Sequence, residues 1–211
     1  MPRPKTYDRE EVLQKALLLF HQQGFEATGM QQLVEATGVS RSSLYDAFGD
    51  KDGLFDEALK CYQGRTSKVL IERLQHTATP RETIIEVFSS AIHEACKSSD
   101  RVGCFMLNTY TEAQLRERSD LQTFLYENQK EVLEAITSTI RRGQQMGEIN
   151  AGIQPKITAE MIYALQAGLM MMSRVDEKAS CLEQAMKSGL DRLLGPVQGS
   201  NRMSTDDEFS Q

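Results

Sequence analysis

Five polar side chains, Arg41, Ser42, Ser43, Tyr45 and Asp46, crowd a six-residue stretch in which Leu44 is the single apolar member. These residue types can read nucleic acid. An arginine grips guanine through two hydrogen bonds, and serine and tyrosine hydroxyls reach base edges or phosphate oxygens. Other chemistries are poorly served. Asp50-x-Asp52-Gly53 has part of a calcium-loop pattern, but in that register Phe48 and Leu59 fall where acids are required. His93-x-x-Cys96 has helical spacing for two metal ligands and no second pair to complete them. Nucleophile elbows, phosphate-binding loops and dinucleotide fingerprints are missing from the sequence, so it reads as a non-enzyme without cofactor or metal.

The elements that must present these side chains are helical, and the periodicity predicts helices almost throughout, about nine in all. Asp8 can cap a first helix whose stripe is Val12, Leu13, Ala16, Leu17 and Phe20, ended at Gly24. Thr28 opens a short second helix, Gly38 breaks the chain, and Ser40 caps a short third one carrying Leu44, Ala47 and Phe48 inward. Two short helices about a tight turn are the sequence form of a helix-turn-helix. Asp50 caps a longer fourth helix with Leu54, Phe55, Ala58, Leu59 and Tyr62. Further helices are expected from Thr79-Pro80, over Gly103–Leu115, from about Asp120 to Gln145, from Pro155 to Met172 and from about Ala179 to Leu194. The fold class expected is all-α. Residues 1–50 form the three-helix reading domain, 51–196 a larger helical bundle, and 197–211, rich in Gly, Ser, Asn and acids, a disordered tail.

Charge gives this reading no help. The chain of 211 residues carries a net charge of −6, so a nucleic-acid partner must be met by placed side chains and not by a bulk basic field. Four scattered cysteines fit free thiols in a reducing compartment. With no signal-peptide layout and no long apolar run, the expectation is a cytoplasmic protein with no membrane partner.

The run Gly38-Val-Ser-Arg-Ser-Ser-Leu-Tyr-Asp-Ala-Phe-Gly-Asp-Lys-Asp-Gly-Leu resembles the Gly-Val-Ser-x-x-x-Leu-Tyr-x-x-Phe-x-x-Lys-x-x-Leu signature of the TetR/AcrR family, and the likeness extends back through Phe20, Gly24, Phe25 and Thr28. The resemblance implies a repressor that binds double-stranded operator DNA as a homodimer on an inverted repeat, consistent with the two-fold pairing of helix-turn-helix units. It places Thr28 and Lys51 on phosphates, Arg41, Ser42 and Ser43 in the major groove, and Tyr45 on the backbone. It also makes Arg3 and Lys5 a basic arm. Two residues depart from the pattern: Asp46 stands where an aromatic, His or Asn is usual, and Gly29 where Ser or Thr is common.

For the remaining helices the resemblance implies an inducer pocket and a dimer seam. Tyr62, Phe88, Ile92, Phe105, Asn108, Tyr110, Phe124 and Met171 are candidates to line the pocket, and Ala164, Gly168, Met172, Leu182, Met186 and Leu190 to form the seam. The inducer is expected to be a small molecule or an electrophile. Arg101-Val-Gly-Cys-Phe-Met-Leu-Asn resembles a segment of one family branch in which such a cysteine senses electrophiles or oxidants, which marks Cys104. A helix N-terminus beside it and Arg101 nearby would favour the thiolate.

Overall fold

The computed structural model describes residues 7–97, 101–112, 117–175 and 178–196. Arg3, Lys5, the proposed tail 197–211 and the last residues of the helix expected over Gly103–Leu115 lie outside them. Among the described residues the regular elements are ten helices: α1 Arg9–Gln23, α2 Met30–Thr37, α3 Arg41–Phe48, α4 Lys51–Arg65, α5 Ser67–His76, α6 Pro80–Lys97, α7 Phe105–Thr111, α8 Ser119–Gln145, α9 Pro155–Met172 and α10 Ala179–Leu194. No described helix is long and apolar enough to cross a membrane.

The expected caps start the N-terminal helices. Asp8, Ser40 and Asp50 each accept a backbone amide of the first turn they precede, from Glu10, Ser43 and Gly53. Gly38 ends α2 at φ 73°, the left-handed region that a residue without a Cβ enters freely. Gly53 has a different purpose: a Cβ there would run into the Phe48 carbonyl, so its bareness lets α4 begin directly against the end of α3.

One helix was not foreseen. The chain breaks at Thr66, whose hydroxyl and amide both bond back to the Tyr62 carbonyl, and α5 follows at once. Gly64, two residues earlier, lies within α4 and does not end it, and no Pro or Asx marks the break. Leu74 of α5 is fully buried, and Arg142 and Thr139 of α8 both donate to its carbonyl, so packing against α8 sets the direction of α5.

Two apolar cores result. The first gathers α1 to α4 around Phe20, Phe25, Leu44 and Phe55, and also takes in Phe105 of α7 and Leu125 of α8. Its rings meet edge to face, Phe20 on Phe55 at 5.1 Å and Phe25 on Phe55 at 5.0 Å, an arrangement that adds to simple burial. The second core joins α5, α6, α8, α9 and α10 around Leu74, Phe88, Ile136 and Met186. Helix α10 lies antiparallel to α6, tied at one end by Arg81 to Asp191 (3.0 Å) and to the Gly195 carbonyl, and at the other by His93 to Glu183 (2.5 Å).

This packing corrects half of the expected dimer seam. Leu182, Met186 and Leu190 are buried within the chain, because they are the face that α10 turns to α6. Ala164, Gly168 and Met172 of α9 are exposed. They share one stripe with Ile157 and Met161, each 50% exposed, and Val175, 63% exposed, follows just past the end of the helix.

Candidate nucleic-acid interface and interior cavity

Helix α3 buries Leu44 and Phe48 and thereby turns its other face outward. Arg41, Ser42, Tyr45 and Asp46 are exposed there, with Ser43 half-buried beside them. Arg41 donates to the Tyr45 hydroxyl through Nη2 at 3.0 Å and its guanidinium lies 5.5 Å from the Tyr45 ring centre, so the two side chains support one another. Ser40 donates to the Ser43 hydroxyl at 3.0 Å.

Two of the residues assigned to phosphate are otherwise occupied. Thr28 is fully buried and its hydroxyl donates to the Gly24 carbonyl at 2.6 Å; its side chain closes the α1–α2 turn. Lys51 lies over the Phe25 ring and donates to the Phe25 and Thr28 carbonyls at 3.0 and 3.1 Å. Its ammonium is committed to that same turn. Gly29, with no side chain of its own to cap α2, is served by Gln32, whose side-chain oxygen accepts the Gly29 amide at 2.8 Å.

The α1–α2 turn is also held from the far side. The Glu112 carboxylate, just past α7, accepts the Phe25 amide at 2.8 Å and the Glu26 amide at 3.3 Å. At the other end of α7, His21 of α1 donates through Nε2 to the Gly103 carbonyl at 3.1 Å. Between them Phe105 packs against His21, Phe55 and Tyr62. Helix α7 therefore spans residues 21–26 like a strut clasped at both ends. Nothing in the local sequence pattern distinguishes Glu112 from any exposed acid.

Next to the strut lies a cavity of about 510 Å³, with walls from α1, α4, α5, α6, α7, α8 and α9. Of the residues expected to line a pocket, Tyr62 does so, and the sensor candidate Cys104 lies on the same lining. Phe88, Ile92 and Phe105 are fully buried core instead. Asn108 donates to the Val102 carbonyl and accepts from Arg174, the Tyr110 hydroxyl is held by the Leu125 carbonyl, and Phe124 packs on the first core. Met171 faces outward, 48% exposed. The lining includes His21, Asn128 and Tyr163, which sequence reasoning passed over. Asn128 had a visible signal: it interrupts the apolar stripe Leu121, Leu125, Val132 at helical spacing.

Burial governs the titratable groups deeper on the lining. Burial holds the His21 ring neutral, its pKa lowered to about 4 against the pull of the Gly103 carbonyl. Burial also pushes the Tyr62 hydroxyl well above its ordinary value, aided by the neighbouring Cys104. For the Cys104 thiol burial again dominates and raises the pKa, while the Leu107 and Met106 amides and the Tyr62 hydroxyl oppose it. The thiolate promoted by a helix N-terminus is thus outweighed. The Arg101 guanidinium reaches the Val175 carbonyl at 2.8 Å, and its charge acts to lower the pKa of Cys96, which burial raises.

Comparison with known proteins bears on the same two regions. The profile for bacterial regulatory proteins of the tetR family matches residues 12–58, and that of the tetracyclin repressor-like C-terminal domain matches residues 78–188. The chain belongs to the TetR family. The HTH-type transcriptional repressor ComR of Escherichia coli (strain K12) is 30% identical to it over 88% of this chain and 87% of its own length. The HTH-type regulator YezE of Bacillus subtilis (strain 168) is 29% identical over 81% and 87%. Among solved TetR structures, a cysteine mutant of the regulator CifR complexed with double-strand operator DNA superposes with a TM-score of 0.79 at 25% identity, over 89% of this chain and 98% of that one.

Proposed function

We propose that this TetR-family protein is a sequence-specific repressor that binds an inverted-repeat operator as a homodimer and leaves it when its cavity is filled or Cys104 is modified. The observation that carries the reading is the exposed face of α3, where Arg41, Ser42 and Tyr45 stand clear of the core on a helix fixed by Gly38 and by Leu44 and Phe48. The operator complex of CifR supports it. The reading unit is residues 1–50 and the sensing unit 51–196, acting in the cytoplasm and without catalysis.

The geometry supplies a route between the two. Cys104 and His21 touch the cavity at one end of α7, and Glu112 holds the α1–α2 turn at the other. A ligand that prefers a displaced α7 would pull on the turn that seats α2 and α3, and would release DNA by shifting the population of states. Gel mobility shift against the DNA upstream of the gene is the test. Binding there, reversed by N-ethylmaleimide in the native protein and not in Cys104→Ser, supports operator recognition and the cysteine arm together. Binding lost equally in both proteins removes the cysteine arm and leaves a noncovalent inducer; no sequence-selective binding overturns the repressor reading.

A further inference from the structure

Gln63 of α4 and Asn128 of α8 face each other in the interior, 8% and 4% exposed. Gln63 Nε2 donates to Asn128 Oδ1 at 3.1 Å. A carboxamide whose oxygen is taken presents its NH₂ on the opposite side, and Asn128 lines the cavity. A donor at such depth is costly unless something accepts from it. The wall around it is apolar, with Leu70, Val87, Val132 and Met170.

The charges are kept at the edge. Among the described residues, Arg73 and Glu94 are the ionic side chains on the lining; they are 43% and 71% exposed, and already paired with Glu86 at 3.0 Å and with Lys97 at 3.2 Å. Tyr62 and His21, deeper in, are neutral at ordinary pH. Among the described residues, an anion accepting from Asn128 would find on the lining no cation but the exposed, already paired Arg73, and a cation no carboxylate but the exposed, already paired Glu94, so either would forfeit hydration for little counter-charge.

We propose that the cavity takes an uncharged, largely apolar molecule whose carbonyl or hydroxyl oxygen accepts from Asn128, with Gln63 as the positioning residue that aims the amide. The cavity volume lies within the range of about 300–1,000 Å³ usual for small-molecule sites. This rests on the cavity being the inducer site.

Isothermal titration of the full chain with 1-octanol, octanoate and octylamine at pH 7 tests it. The alcohol should bind about tenfold or more tightly than either ion, since the ions bear an uncompensated desolvation cost. Ala167→Trp, which fills the cavity, should abolish that binding, with Ala91→Phe as a second filler if the first does not fold. Asn128→Asp should reverse the preference towards octylamine, and Asn128→Ser and Gln63→Leu should each weaken the alcohol severalfold while leaving it ahead of the ions. An ion bound as tightly as the alcohol, and displaced by the cavity fillers, would overturn the uncharged class while leaving the cavity as a site. Binding of none of the three, or binding indifferent to both fillers, would overturn the cavity reading and the proposal with it.

Discussion

Arg41 and Tyr45 lean on each other in the free protein, and their energetic roles should separate on DNA. Arg41→Ala is expected to relax base preference at one position of each half-site, at a cost of about 1–3 kcal/mol. Tyr45→Phe should weaken binding to every sequence by about 1 kcal/mol, the worth of one hydrogen bond. Affinities across a set of single-base operator variants distinguish these outcomes. His21 makes a second prediction at this scale. Its pKa is depressed from 6.5 to about 4, so between those values the unfolded chain binds the proton that the folded chain refuses. Its contribution to stability should be complete above pH 6.5 and should drain away as pH falls towards 4, by about 2 kcal/mol once its half-buried position is allowed for. Urea unfolding of the native protein and His21→Gln at pH 7, 6, 5 and 4 should show a steeper fall in the native protein over this window.

Among the elements, α7 is the shortest, and its two ends carry consequences out of proportion to its length. Glu112→Ala removes the acceptor of the Phe25 and Glu26 amides. Hydrogen bonds to a charged group are worth about 1.5–3 kcal/mol, so amide exchange at Phe25 and Glu26 should accelerate by about tenfold or more while α8 and α10 stay protected. Operator affinity should fall in parallel. Unchanged exchange at both amides would show that the strut does not hold the turn. Gly53→Ala addresses the junction of α3 and α4: the Phe48 carbonyl leaves no room for a methyl group, and thermal melts should show a loss of about 1–3 kcal/mol.

On the scale of the whole molecule, the net charge of −6 sets how DNA must be approached. With an acidic body behind the reading helices, association should depend on a few phosphate contacts and weaken steeply as salt rises. The outward stripe of α9 is the other large-scale feature. Ile157, Met161, Met172 and Val175 expose apolar surface around Ala164 and Gly168, and the small residues Cys181, Ala185 and Ser188 are exposed on α10. Met161→Asp should yield a monomer in sedimentation, with helicity retained and operator binding lost. A dimer of undiminished affinity would move the seam to another face. By contrast, a charge at Leu190 should unfold the chain, because that side chain is fully buried against α6.

The helical class, the caps at Asp8, Ser40 and Asp50, the left-handed turn at Gly38 and the polar face of α3 were all legible in the sequence. Each depends on residues within a few positions of one another, where local sterics, capping and helical spacing decide the outcome. The tertiary structure decided the rest. Whether Leu182, Met186 and Leu190 serve a core or a seam depends on α6, about a hundred residues away in the chain. The same holds for the inward turn of Thr28, the pairing of Gln63 with Asn128 and the grip of Glu112 on the α1–α2 turn. Polar residues of these types look alike along a helix, and only the burial and partners supplied by distant elements give each its role.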